Sequence, residues 1–214
     1  MTETRFKYPR TFHLPGSPGM TSDDKLARDL SAFAGAEVVV TEKMDGENTT
    51  LYPDGFHARS LDSGFHPSRA RLAALHGQIA HRIPAGRRIC GENLFARHSL
   101  AYDDLPSHFL VFSIWTGDTC LSWDETRADC IRLSLTPVPE LYRGPFTTDL
   151  PDRMARALDT DRQEGFVLRL ASEFKREAFS RSVVKWVRKN HVQTDEHWRR
   201  GPLVANGFRE GEGS

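Results

Sequence analysis

The run Glu37-Val38-Val39-Val40-Thr41-Glu42 constrains this chain more than any other stretch. Consecutive β-branched side chains lose rotamer freedom in a helix and sit well on a pleated surface, so the run predicts a strand. It ends at Lys43-Met44-Asp45-Gly46. Beyond that, Asn48 to Tyr52 and Phe56 to Ser60 flank Pro53-Asp54-Gly55, a hairpin signal. A strand that passes through a lysine-bearing turn into a hairpin commits this part of the chain to sheet.

Strands and helices are interleaved along the rest of the chain. Ser22-Asp23-Asp24 predicts the capped start of a helix with Leu26, Leu30 and Phe33 on one face. Leu72, Leu75, Ile79 and Ile83 recur at helical spacing between Ser68 and Ile83, and Pro84 ends that helix. Arg88 to Phe95 and Phe109 to Trp115 read as strands, with a turn at Thr116-Gly117-Asp118-Thr119. Ser122 and Glu125 form a capping-box pattern before a helix to about Ser134. A short helix is expected over Asp152 to Leu158, then strands at Gly165 to Leu170 and Ser182 to Val187. Hairpin strands broken by helices imply an α+β fold with largely antiparallel sheets rather than a doubly wound one.

With 214 residues, 38% hydrophobic and 27% charged, the chain suits one sizeable domain. The expected organisation is a single domain over residues 1–206 and a mobile, polar, glycine-rich tail over 207–214. Lys plus Arg equals Asp plus Glu at 29 each, so no general nucleic-acid coat is present. A local basic face remains between Lys175 and Arg200. The apolar runs are too short to span a bilayer and the start lacks a secretory core, so a cytoplasmic location without membrane attachment is the default. Cys90, Cys120 and Cys130 have neither metal-ligand spacing nor an even count, which predicts reduced thiols in or near the core. A P-loop, a dinucleotide glycine fingerprint and a serine-hydrolase elbow are all absent. His191 and His197 lack a third ligand at useful spacing, which argues against zinc.

Lys43 offers an amine that attacks phosphorus only when unprotonated, and burial or a neighbouring cation would lower its pKa. Lys185 and Arg188 are the cations expected to act this way, with Asp45 countering them or orienting a metal-bound water. Glu92 and Glu164 each stand beside a glycine in an apolar strand, where a carboxylate is costly unless bound to a partner, ligand or metal. The glycines Gly91 and Gly165 are read as allowing a nucleotide close to the backbone. Phe112, opposite in direction to Val111 and Ser113, would stack on a base, and Arg59, returning from the hairpin, would grip a phosphate.

In order, Lys43-Met44-Asp45-Gly46-Glu47-Asn48, Cys90-Gly91-Glu92-Asn93, Leu110 to Ile114, Glu164 to Arg169 and Val183 to Arg188 resemble the motifs of the covalent nucleotidyltransferases. That superfamily holds RNA ligases, DNA ligases and capping enzymes, with an ATP-grasp-like catalytic domain. The set is most similar to RNA ligases of the phage RNA ligase 2 type and their small bacterial relatives, over roughly residues 36–190.

The resemblance implies that Lys43 becomes adenylylated by ATP, that AMP passes to an RNA 5′-phosphate, and that a 3′-hydroxyl then displaces it. It implies that Asn48 lies near the phosphate, that Arg59 contacts nucleotide or RNA, that Glu92 binds the ribose, and that Phe112 stacks on adenine. Glu164 would hold magnesium or manganese, Lys185 would grip the phosphate, and Arg188 would supply a second cation. RNA is the implied partner, presented by the basic face or by another protein. A GTP-using, capping-type transferase and a non-catalytic nucleotide- or RNA-binding module are the alternative readings. The family often ends its last motif with Lys, one residue, Lys; here the order is Lys185-Trp186-Val187-Arg188.

Overall fold

A computed structural model describes residues 4–189 and 203–209. In chain order the elements are β1 (Phe12–His13), β2 (Glu37–Glu42), β3 (Glu47–Tyr52), β4 (Gly55–Ala58), α1 (Ala70–Ile79), β5 (Arg87–Asn93), β6 (Phe109–Thr116) and β7 (Thr119–Cys120). Then come α2 (Trp123–Leu133), β8 (Thr136–Pro137), β9 (Glu140–Pro145), α3 (Leu150–Ala157), β10 (Gly165–Leu170), β11 (Phe174–Lys175), α4 (Phe179–Ser182) and β12 (Val183–Val187). Two sheets result. One has the order β1-β12-β10-β2-β9, the other β11-β7-β6-β5-β3-β4 with β8 beside β6. Pairing is antiparallel except for β1 with β12 and β6 with β8, so the α+β expectation holds.

The two-residue period of each strand sorts its side chains. In the first sheet Val38, Val40, Phe166, Leu168 and Val184 bury one face with Leu14, Phe33 and Leu150. Thr41, Val167, Arg169, Val183 and Lys185 take the other face, which looks into a cleft between the sheets. The second sheet buries Leu51, Ile89, Val111 and Ile114 against Leu72 and Ile79 of α1 and Cys130 and Leu133 of α2. Its opposite face gives Asn48, Glu92, Phe112 and Ser113 to the same cleft.

Most elements lie where the sequence pattern puts them. The capping box at Ser122 and Glu125 forms, and α2 stops at Ser134 in the left-handed region (φ 58°). The three cysteines are free and buried. Among the described residues no helix is long and apolar enough to cross a membrane.

Residues 22–33 differ. In place of the predicted helix there is extended chain and a single 3-10 turn at Ser31–Phe33. The backbone finds other partners: His13 N donates to Lys25 O (2.7 Å) and Ala27 N to His13 O (2.8 Å), which lays the segment along the edge of β1. The Asp24 carboxylate, expected near a helix start, accepts from Thr21 N and Oγ1 (3.1 and 3.0 Å) and closes a turn. Gly207 to Arg209, expected to be mobile, are held as well. Gly207 N donates to Tyr102 O (2.7 Å) and Arg209 N to Leu105 O (3.0 Å). The histidines 191 and 197 and most of the basic stretch beyond Lys189 lie outside the described residues.

Candidate active site

Lys43 sits where the chain leaves β2 in one sheet to begin β3 in the other. Its backbone N donates to Gly165 O (2.9 Å), tying it to the start of β10. Asp45 anchors the crossing. Its Oδ2 accepts from Ser99 N (2.8 Å), Ser99 Oγ (2.6 Å) and Leu100 N (2.7 Å), and its own N donates to Tyr102 Oη (2.9 Å). Three bonds to one oxygen make Asp45 a brace of the loop at 99–102 rather than a holder of water. Gly46 is required by space, because a Cβ there would stand 2.6 Å from Asn93 O. Glu47 then enters the sheet as a buried partner of Arg69, whose Nε donates to Glu47 Oε2 (2.7 Å) and whose Nη2 pairs with Oε1.

The Lys43 ammonium pairs directly with Glu164 at the floor of a cleft of about 890 Å³. Burial works to lower its pKa, but Glu164, Glu92 and Asp45 together outweigh that, and the net direction is upward. This reverses the expectation that neighbouring cations depress it. β10 separates β12 from β2, so carboxylates rather than cations are the nearest company. The depressed lysine is Lys185: burial first, then the charge of Lys43, bring it to about 8. Burial raises Glu164, against the pull of Lys43, and raises Glu92 to about 8, with Glu164 and Asp45 adding to the push on Glu92.

One end of the cleft is aromatic. Phe112 meets Tyr8 edge-on, with ring centroids 5.0 Å apart, and Tyr8 meets Phe179 at 5.4 Å. Val167 lines the opposite wall. Phe112 does not simply alternate with its neighbours. The register of β5 with β6 passes from Cys90↔Ser113 to Gly91↔Val111, so Phe112 is the extra residue of a bulge and lines the cleft together with Ser113. Gly91 and Gly165 serve protein packing, not a nucleotide. A Cβ on Gly91 would stand 2.7 Å from Leu110 O and run into the Phe109 ring; one on Gly165 would run into Trp186 O. Asn48 lies opposite Glu92 in the β3–β5 register, and among the described residues its buried Oδ1 has no hydrogen-bond partner at the cleft wall.

Arg59 is exposed just past β4 and lines the cleft, as do Lys185, Arg10 and Arg97. Arg188 is not among the lining residues. It lies just past the end of β12, three positions after Lys185, whereas a Lys-x-Lys spacing would put the second cation two positions on. Val187 occupies that second position and is buried. Lys43, Asn48, Arg59, Glu92, Phe112, Glu164 and Lys185 thus meet in one cleft, and Arg188 does not. Tyr8, Asp24 and the Glu47–Arg69 pair escaped sequence reading. Each acts through a partner far along the chain, and only the Tyr8 aromatic near an irregular start offered any signal.

Among the described residues no group of three or more acidic, histidine or cysteine side chains is arranged around a common metal position. The donor set nevertheless suits magnesium or manganese carried in with phosphates. Such an ion takes hard oxygen ligands, keeps several waters and needs only one or two carboxylates. Glu164 provides one, raised in pKa among like charges that a cation would offset.

A family model described as RNA ligase matches residues 36–187. The chain belongs to the RNA ligase family. Curated protein sequences give no match. Solved structures of similar fold include a Naegleria gruberi RNA ligase mutant with ATP and manganese, with TM-score 0.55, 14% identity, and cover of 87% of this chain and 61% of that one. An archaeal ATP-dependent RNA ligase has TM-score 0.55 and 19% identity, covering 85% of this chain and 48% of its own. A putative ATP-dependent DNA ligase from Aquifex aeolicus has TM-score 0.54 and 18% identity, covering 86% and 50%. The family member described here therefore spans less than two thirds of each of these proteins.

Proposed function

We propose that this chain is the catalytic domain of an ATP-dependent RNA ligase that joins 5′-phosphate and 3′-hydroxyl ends through a lysyl-AMP on Lys43. The observation that carries the reading is the Lys43–Glu164 pair at the floor of a cleft with a cationic wall and an aromatic end. A volume of about 890 Å³ suits a nucleotide with its phosphates. The base would lie between Phe112 and Val167, with the ribose toward Glu92 and Asn48, and the phosphates toward Lys43, Lys185 and Arg59.

The first step needs Lys43 as a free amine. Glu164 accepts a hydrogen bond from the Lys43 ammonium and is placed to take its proton as Nζ approaches the α-phosphorus. The P–N bond forms, the bond to the bridging oxygen breaks, and pyrophosphate leaves. A divalent ion, when bound at Glu164, supplies positive charge to the phosphates. Lys185 holds charge on the transferring group in this step and in the later ones, in which AMP moves to an RNA 5′-phosphate and a 3′-hydroxyl displaces it. Holding reactants in line accounts for most of the task, which suits a site of fixed charges.

Intact-protein mass after incubation with ATP and magnesium tests this reading. The expected product is an adduct of one AMP that Lys43→Ala abolishes. Labelling with GTP alone, or an adduct that survives in Lys43→Ala, would refute it.

A further inference from the structure

β1 pairs in parallel with β12 so that His13 stands directly beside Lys185. Both side chains reach one carboxylate: Asp24 Oδ1 is 3.9 Å from Lys185 Nζ, and Asp24 Oδ2 is 3.5 Å from His13 Nε2. That carboxylate is fixed in direction by Thr21 N and Oγ1. His13 is fully buried, with Nδ1 2.8 Å from Ser17 Oγ, and the same hydroxyl accepts from Val187 N (2.9 Å). Leu14 N donates to Lys185 O (2.7 Å), so the segment clamps the backbone of β12 as well as its lysine. Asp24 itself lines the cleft.

We propose that Asp24 is a positioning residue that holds the Lys185 ammonium toward the phosphate end of the cleft. The inference rests on the role given to Lys185 above, and it assigns the N-terminal segment 12–27 a part in adenylyl transfer. Without the carboxylate the lysine, on a flexible four-carbon stem, is left between the repulsion of Lys43 and Arg59 and the pull of Glu164. A cation displaced by about 1 Å loses a large part of its effect on a transferring phosphoryl group. The carboxylate also holds positive charge on Lys185, whose proton affinity burial weakens.

The test is single-turnover formation of the Lys43 adduct by Asp24→Asn, resolved into a maximum rate and a half-saturating ATP concentration. The maximum rate should fall about tenfold. Half-saturation and the thermal midpoint should stay near their unsubstituted values. Asp24→Glu, which restores the charge, should recover most of the rate. Asp24→Asn as fast as the unsubstituted protein overturns the proposal, as does a loss that Asp24→Glu fails to reverse. Should Asp24→Asn not fold, Asp24→Ser keeps an oxygen for Thr21 and is read the same way. An unsubstituted protein that forms no adduct refutes the ligase reading itself. Lys185→Ala at full rate removes the role of Lys185, and the proposal with it.

Discussion

Replacing Glu47 with Gln tests how the nucleophile's strand is held. Glu47 and Arg69 are 3% and 6% exposed, and the Arg69 guanidinium commits two nitrogens to the carboxylate and a third to Gly64 O. The glutamine side chain would keep the shape, remove the charge and turn an amide N–H toward a guanidinium N–H. Breaking one side of a buried pair costs about 3–5 kcal/mol, because the remaining charge stays desolvated. For a chain of this length about 3 kcal/mol corresponds to a fall of roughly 6–12 °C in Tm. Urea denaturation and calorimetry of Glu47→Gln measure both. Glu47→Leu combined with Arg69→Met should recover most of the loss, since an apolar pair of similar volume leaves no orphan charge. A cost for Glu47→Gln under about 1 kcal/mol, or a double variant no better than the single, would refute the reasoning.

The same geometry sets further outcomes. Lys43→Arg should give no mass adduct with ATP, because a guanidinium stays protonated and cannot attack. Gly165→Ala should destabilise by several kcal/mol in denaturant titration, as its Cβ meets the Trp186 and Val187 backbone and no side chain can yield. Burial pushes the Glu92 carboxyl from the ordinary value of 4.5 up to about 8 in the folded chain. Over that interval the folded form binds more protons, so its contribution is complete below about 4.5 and is lost as pH rises through about 8. Glu92→Gln should therefore gain stability relative to the unsubstituted protein between pH 5 and pH 8, by roughly 1 kcal/mol per pH unit, measured by unfolding at each pH. Phe112→Ala should raise half-saturating ATP in adduct formation roughly tenfold, from the loss of about 1–3 kcal/mol of stacking.

Local chemistry was readable where it was self-contained. The valine run of β2, the Pro53-Asp54-Gly55 turn and the Ser122 box each carry their own instructions, and each forms as expected. Residues 22–33 do not, because the edge of β1 offers their backbone a partner that no nearest-neighbour preference can register. Seven of the proposed site residues converge because motifs on successive strands share a face. Arg188 was assigned from its place in the last motif, which does not say how the chain leaves the strand: it lies just past β12 and is not among the residues lining the cleft. The charge balance at Lys43 was misread for a related reason. Which carboxylates surround the amine depends on β10 lying between β2 and β12, a matter of strand order that the linear pattern does not contain.

Three of the chain's crossings between the sheets lie along β2. Lys43 to Gly46 leaves its end, Pro139 O accepts from Glu42 N beside it, and Ala171 N donates to Glu37 O at its start. If the two halves scissor about that seam, displacement grows with distance from the pivot. An amine at the seam would stay almost still while side chains farther along the cleft moved more. On the ligase reading proposed above, an RNA end could then come and go without disturbing the aim of the amine.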